Sequence, residues 1–164
     1  MRHPKIEKSP EGAFLLRHLP PILALAVREL PELLSDDAPG IRRRLTGSPY
    51  PEGSEDARQW EKHAVPDLEH LFRDARDLVL KDLPSLAPEP RSRGRFRMEI
   101  PAKHLRAWLS SLAAVRVALA EEHGITEEEM ERELPPVLVD GKQRALLFIH
   151  LLGWLQGLLV EAGA

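Results

Sequence analysis

Apolar positions recur along most of this chain at spacings of three and four residues, and prolines punctuate the starts of the runs. Ser9, Pro10 and Glu11 have the order of an N-cap, a first-turn proline and an acid suited to the helix dipole. They precede Ala13, Phe14, Leu15, Leu16 and Leu19, so a first helix is predicted there. Pro20 and Pro21 remove two amide donors and clash with the preceding turn, which makes Ile22 to Leu34 the second limb of a kinked helix pair. Ser35 to Pro51 carries turn chemistry around one short helical stretch near Ile41 to Leu45. Ser54 caps a helix from Glu55 to about His63, and Pro66, Asp67 and Glu69 open another that ends near Asp82. Residues 84–94, rich in proline and arginine, read as a flexible connection.

Phe96, Met98 and Ile100 alternate with Arg95, Arg97 and Glu99, a period of two that predicts a short half-buried strand closed by Pro101. Whether 96–100 pairs is open, with Val137 to Val139 as the candidate partner of a two-stranded ribbon. Ala102 to His123 is a helix with Leu105, Trp108, Leu109, Leu112, Val115 and Leu119 on one face, stopped by Gly124. Thr126 and Glu129 form a capping box for a short acidic helix. Lys142 to Val160 is a long, nearly all-apolar helix. At 100° per residue, Gln143, His150, Gly153, Gly157 and Glu161 fall in one narrow seam, expected to face solvent first and a second copy of the chain second. Gln156 lies on the opposite, buried arc, so its amide is expected to be hydrogen-bonded. The fold class expected is all-α: one domain, 1–164, an irregular helical bundle around the buried C-terminal helix. Its parts are an N-terminal helical half (9–83), the connection (84–94) and a C-terminal helical half (95–164).

Composition narrows the picture modestly. The 164 residues, 43% hydrophobic and 30% charged, suit one globular domain. Absence of cysteine excludes disulfides, thiolate metal sites and a cysteine nucleophile, and fits a cytoplasmic location. No secretory leader is expected, since Met1 to Pro10 is charged without an apolar stretch. A net charge of −3 recommends neither nucleic acid nor an anionic membrane as partner. Ala145 to Val160, interrupted by His150 and Gln156, is shorter than the ~20 apolar residues of a membrane span; it reads as a core helix.

Arg116 shares its helix face with Leu109, Leu112 and Leu119, so its charge needs a partner. That is a carboxylate such as Asp74, Asp140 or Glu161, or else an anionic ligand or acidic peptide in a pocket. Arg91, Arg93, Arg95 and Arg97 alternate and would line one side of an extended chain, an anion- or partner-binding edge or a solvated linker. Arg42, Arg43 and Arg44 read as solvated surface. His63, Asp67, His70 and Asp74 would share a face of one unbroken helix and imitate a metal site, but Pro66 is expected to break it, leaving His70 and Asp74 an exposed pair. No nucleophile triad, phosphate-cradling glycine loop, dinucleotide fingerprint or paired helix histidines occurs in a fitting context. A non-enzyme without cofactor or metal is therefore expected.

The stretch Ile100-Pro101-Ala102-Lys103-His104-Leu105-Arg106-Ala107-Trp108-Leu109, then Val115-Arg116-Val117-Ala118-Leu119, Gly124-Ile125-Thr126-Glu127 and Trp154-Leu155-Gln156, resembles a bacterial family. It is the domain-of-unknown-function group numbered two thousand and seventeen, best represented in actinobacteria. Ala113 and Ala114 depart from an expected Asn-Asp pair, and Gly157 from an acidic residue. The resemblance implies an all-helical fold and no established activity; the family's genes often neighbour that of the Clp protease adaptor ClpS. The function expected is a cytoplasmic protein-interaction module, an adaptor or regulator linked to Clp proteolysis, with a protein partner and a monomeric or homodimeric state. The alternative is a small-molecule or anion-binding domain with Arg116, Arg93, Arg95 and Arg97 as its candidates.

Overall fold

Ser9 closes a hairpin, not a helix. Its amide donates to the Ala13 carbonyl (2.8 Å) and its hydroxyl accepts from the Ala13 amide (3.0 Å). Gly12, at φ +81°, turns the chain in a conformation that L side chains rarely adopt. The turn joins β1 (Lys5–Lys8) to β2 (Ala13–Leu19), which pair antiparallel. In β2, Phe14 and Leu16 are buried while Leu15 and Arg17 are half-exposed, the alternation of a strand. The computed structural model describes residues 3–38, 40–41 and 47–163, so Arg42, Arg43, Arg44 and most of the short helix expected at 41–45 lie outside the described residues.

The alternating segment at 96–100 is a strand as predicted, β4 (Phe96–Pro101), but its partner differs from the one expected. It pairs antiparallel with β2, placing Phe14 opposite Ile100 and Leu16 opposite Met98. On its other side it pairs with the two-residue β3 (Ala87–Pro88), giving the order β1-β2-β4-β3. Val137 and Val139 are largely exposed and outside the sheet. The fold is therefore mixed α/β with a four-stranded antiparallel sheet, not all-α. The first helix expected at Ala13 to Leu19 is β2, because a short apolar run suits either element and a partner far along the chain decides. Residues 84–94, expected as a flexible connection, carry the rest of a 3₁₀ turn (Leu83–Ser85), β3 and most of a tight hairpin with Gly94 at φ +75°.

Pro20 and Pro21 mark the switch from strand to helix, not a kink: Pro20 is the N-cap and Pro21 the first residue of α1 (Pro21–Arg28), followed by α2 (Leu30–Leu33). The two helices expected on either side of Pro66 are one, the 28-residue α3 (Glu55–Asp82), capped by the Ser54 side chain. Pro66 is exposed, so its ring meets solvent, and the turns on either side carry the helix through its missing donor. A 3₁₀ turn (Ala102–His104) leads into α4 (Leu105–Glu122), and Thr126 caps α5 (Glu127–Glu131) as predicted. The chain closes with α6 (Gly141–Gly163), antiparallel to α4, with Gly141 beside His123 and Gly163 beside Leu105.

The core lies between one sheet face (Phe14, Leu16, Met98, Ile100), α1, and the inner faces of α4 and α6. In α6, Ala145, Phe148, Ile149, Leu152, Leu155 and Leu159 are buried on one arc. The C-terminal helix is longer than the apolar stretch expected from 145–160: α6 has 23 residues, its most apolar window has a mean hydropathy of 1.7, and by length and composition it is long and apolar enough to cross a membrane. Its inner arc packs as a core helix does, yet only 33% of that window is buried.

Candidate functional site

Arg116 reaches from α4 across α6. Its Nε donates to the Ile149 carbonyl (3.1 Å) and its Nη1 to Gln156 Oε1 (2.9 Å). The guanidinium lies over Gly153, where an added Cβ would stand 2.9 Å from Cζ. The acceptors are neutral oxygens, not Asp74, Asp140 or Glu161, and no described cleft is lined by Arg116. Gln156 has the hydrogen-bonded amide expected of it. Of the expected seam, His150, Gly157 and Glu161 face solvent, whereas Gly153 is the floor of the arginine's seat.

A second buried polar centre had no forecast. The Asp82 carboxylate, 7% exposed, accepts from His104 Nδ1 (2.9 Å) and Trp108 Nε1 (2.9 Å). Asp82 ends α3, where the helix dipole opposes a negative charge. His104 and Trp108 flank the start of α4, whose dipole favours it, and supply the donors. With Nδ1–H committed to Asp82, the imidazole is fixed in tautomer and orientation. His104 and Trp108 lie one turn apart on an apolar face, and that spacing of two N–H-bearing rings was the available signal. Asp82 itself carried none beyond its place at a helix end.

The third centre is on the outer sheet face. Arg17 grips Glu89 with two hydrogen bonds, Nε to Oε2 (3.1 Å) and Nη2 to Oε1 (2.7 Å). The Glu89 side chain is 1% exposed. Arg17, aided by the His18 amide, holds the Glu89 carboxyl below the usual carboxylate range, and Glu89 in turn raises Arg17. His18 sits at a break in the β2–β4 register with φ +58°, the left-handed region, and is 3% exposed. Seventy-two residues separate Arg17 from Glu89, so no local pattern announces the pair.

The arginine row does not form one extended edge. Arg91 and Arg93 lie in the β3–β4 turn, Arg95 just before β4, and only Arg97 within it. The Glu89 amide closes that turn on the Arg95 carbonyl (2.8 Å). Arg91 and Arg97, with Arg17, line a cleft of about 400 Å³; Arg93 and Arg95 do not. His63, Asp67, His70 and Asp74 do share one unbroken helix, but all are exposed, and among the described residues no group of three or more His, Asp or Glu is placed to hold a metal ion. His70 and Asp74 form the exposed pair (3.3 Å).

The remaining feature is the outer side of α6. Leu147, Leu151, Trp154 and Leu158 follow the i, i+4, i+7, i+11 spacing of one helix face; the three leucines are half-buried and Trp154 is 41% exposed. The model of a family described as Domain of unknown function (DUF2017) matches residues 9–163. No curated protein and no solved structure matches the chain.

Proposed function

Starting from a chain that belongs to the DUF2017 family, we propose that it is a non-catalytic, cytoplasmic protein-interaction module, an adaptor or regulator, whose partner docks on the outer face of α6. The observation that carries this is the stripe of Leu147, Leu151, Trp154 and Leu158 on a helix whose most apolar window is only a third buried. A half-exposed apolar stripe around an exposed tryptophan marks an interaction surface more often than a scattered residue does. Its spacing is that of helix-in-groove recognition, and a half-exposed tryptophan is a common anchor. The inward engagement of Arg116, Asp82, His104 and Glu89 supports the same reading, since each is matched by a neighbour within the chain. The partner is expected to present an apolar groove. The resemblance to a family whose genes neighbour that of ClpS makes Clp proteolysis the first process to test.

The test is a pull-down from native lysate with mass spectrometry, comparing the wild-type chain with Trp154→Ser and Leu151→Ser. A reproducible partner, confirmed with purified components, should bind roughly 30-fold more weakly to the Trp154→Ser variant, the effect of an anchor worth about 2 kcal/mol. Retention of the same proteins by both variants sinks the proposal. A concentration-dependent dimer abolished by Trp154→Ser in analytical ultracentrifugation replaces it with self-association, and flotation with lipid vesicles replaces it with a membrane surface.

A further inference from the structure

The outer sheet face carries a separate site. We propose that the cleft between β2, β4 and the β3–β4 turn binds the phosphate group of a small phosphorylated molecule, held by Arg17, Arg91 and Arg97. At about 400 Å³ the cleft falls within the range that encloses small ligands. Three arginines line it from separate elements, Arg17 from β2, Arg97 from β4 and Arg91 from the turn. Arg91 and Arg97 have no ion-pair or side-chain hydrogen-bond partner among the described residues, so their donors are open to an anion. Arg17 differs. Glu89 takes its Nε and one Nη2 hydrogen, which fixes the plane of the guanidinium, and Nη1 is ion-paired with the half-buried Glu7 at 3.6 Å, so Arg17 contributes a fixed charge more than free donors.

His18 does not itself line the cleft, but its amide helps to hold Glu89, and through it Arg17, at the cleft's edge. His18 follows Arg17 in the left-handed conformation that non-glycine residues seldom adopt. Its ring nitrogen Nδ1 is buried without a hydrogen-bond partner, and its amide is spent on Glu89. An uncommon backbone conformation and an unmatched polar atom thus stand beside the one arginine whose orientation is locked. Glu99 also lines the cleft, and its carboxylate repels an anion placed against it. Its neighbours leave the lining net positive, and Glu99 suits a hydroxyl or amine on the body of the ligand. Two arginines without partners among the described residues, Arg91 and Arg97, beside an Arg17 held in place by Glu89, suit the several oxygens of a phosphate dianion. The site is independent of the α6 surface, and either can fail alone.

Inorganic phosphate at constant ionic strength is the probe, followed by amide chemical shifts and by thermal stability, with citrate as the carboxylate comparison. Saturable shifts confined to residues 15–18 and 85–99 are expected, with binding weakened about tenfold or more by Arg97→Ala and by Arg91→Ala. Both side chains are exposed, so circular dichroism should report unchanged folds. Arg93→Ala, outside the cleft but in the same turn, should leave the affinity unaltered. The proposal is overturned by absence of saturable binding up to about 10 mM phosphate, where affinity is no better than that of a chance contact. It is equally overturned by loss of binding in Arg93→Ala equal to that in Arg97→Ala, or by binding of citrate without phosphate.

Discussion

Gly153→Ala should change the sign of its effect with the residue at position 116. In a helix interior, alanine is favoured over glycine by about 0.8–1 kcal/mol, so the substitution taken alone stabilises α6. In this protein the new Cβ would stand 2.9 Å from Arg116 Cζ and 3.0 Å from its Nε, closer than real side chains tolerate. The guanidinium must swing away, and its bonds to the Ile149 carbonyl and Gln156 Oε1 go with it. Hydrogen bonds from a charged donor contribute about 1.5 kcal/mol each at the low end of their range, appropriate for a half-buried arginine. Gly153→Ala should therefore destabilise the wild-type chain by about 2 kcal/mol after the helix gain. In an Arg116→Ala background the same Cβ meets no guanidinium, and Gly153→Ala should stabilise by about 1 kcal/mol. Urea unfolding of the four proteins, read at unchanged m, measures the coupling directly. Gly157→Ala is the control: nothing lies within 4 Å of its Cβ, so it should stabilise both backgrounds alike. An effect of Gly153→Ala with the same sign in both backgrounds would refute the seat of Arg116 over Gly153.

Asp82→Asn keeps the shape and one acceptor at the Oδ2 position, but removes the charge and puts an amide donor at the Oδ1 position, 3.1 Å from His104 Nδ1. A loss of about 1–3 kcal/mol is expected in denaturant unfolding, and no measurable loss would show that the three groups are not coupled. Glu89 sets an acid limit. Because its carboxyl is held below the usual range by Arg17, the folded chain favours the ionised form. That stabilisation is complete above the usual carboxylate range and is lost as pH falls below about 4. Melting temperature should therefore drop more steeply between about pH 5 and 3 in the wild type than in Glu89→Gln, and parallel curves would dissociate Glu89 from the acid limb.

What local spacing specifies was legible, and what depends on distant pairing was not. Thr126 capping α5, the face of α4 through Trp108 and Leu112, the strand at 96–100 and the buried arc of α6 containing Gln156 all follow from residues within a few positions of one another. Ala13 to Leu19 misled because its apolar residues fit both periods over so short a run, and because Ser9 offers the same hydroxyl to a helix cap or a hairpin. Its true partner begins at Phe96. Pro66 misled in the other direction, since a proline facing solvent costs one hydrogen bond without ending a helix that packs elsewhere. Arg116 was recognisable as a buried charge in need of acceptors. That a helix carbonyl and an amide would suffice was hidden, because acceptor geometry belongs to the packing of α4 on α6.

Asp82 and His104 stand 22 residues apart, and everything between them is the 3₁₀ turn and the β3–β4 hairpin that carries Arg91 and Arg97. Their contact closes that segment into a loop as a clasp would. Without it, the ends would regain the freedom that loop closure removes, and the hairpin would be tied by its pairing to β2, by Met98 and Ile100 in the core and by Glu89 on Arg17. The part outside β4, from the 3₁₀ turn through β3 to Arg95, is thus a natural unit of partial opening. Its amides should exchange with solvent together, ahead of those in the inner turns of α6, and the clasp sets how often the arginine cleft comes apart while the helical core stays folded.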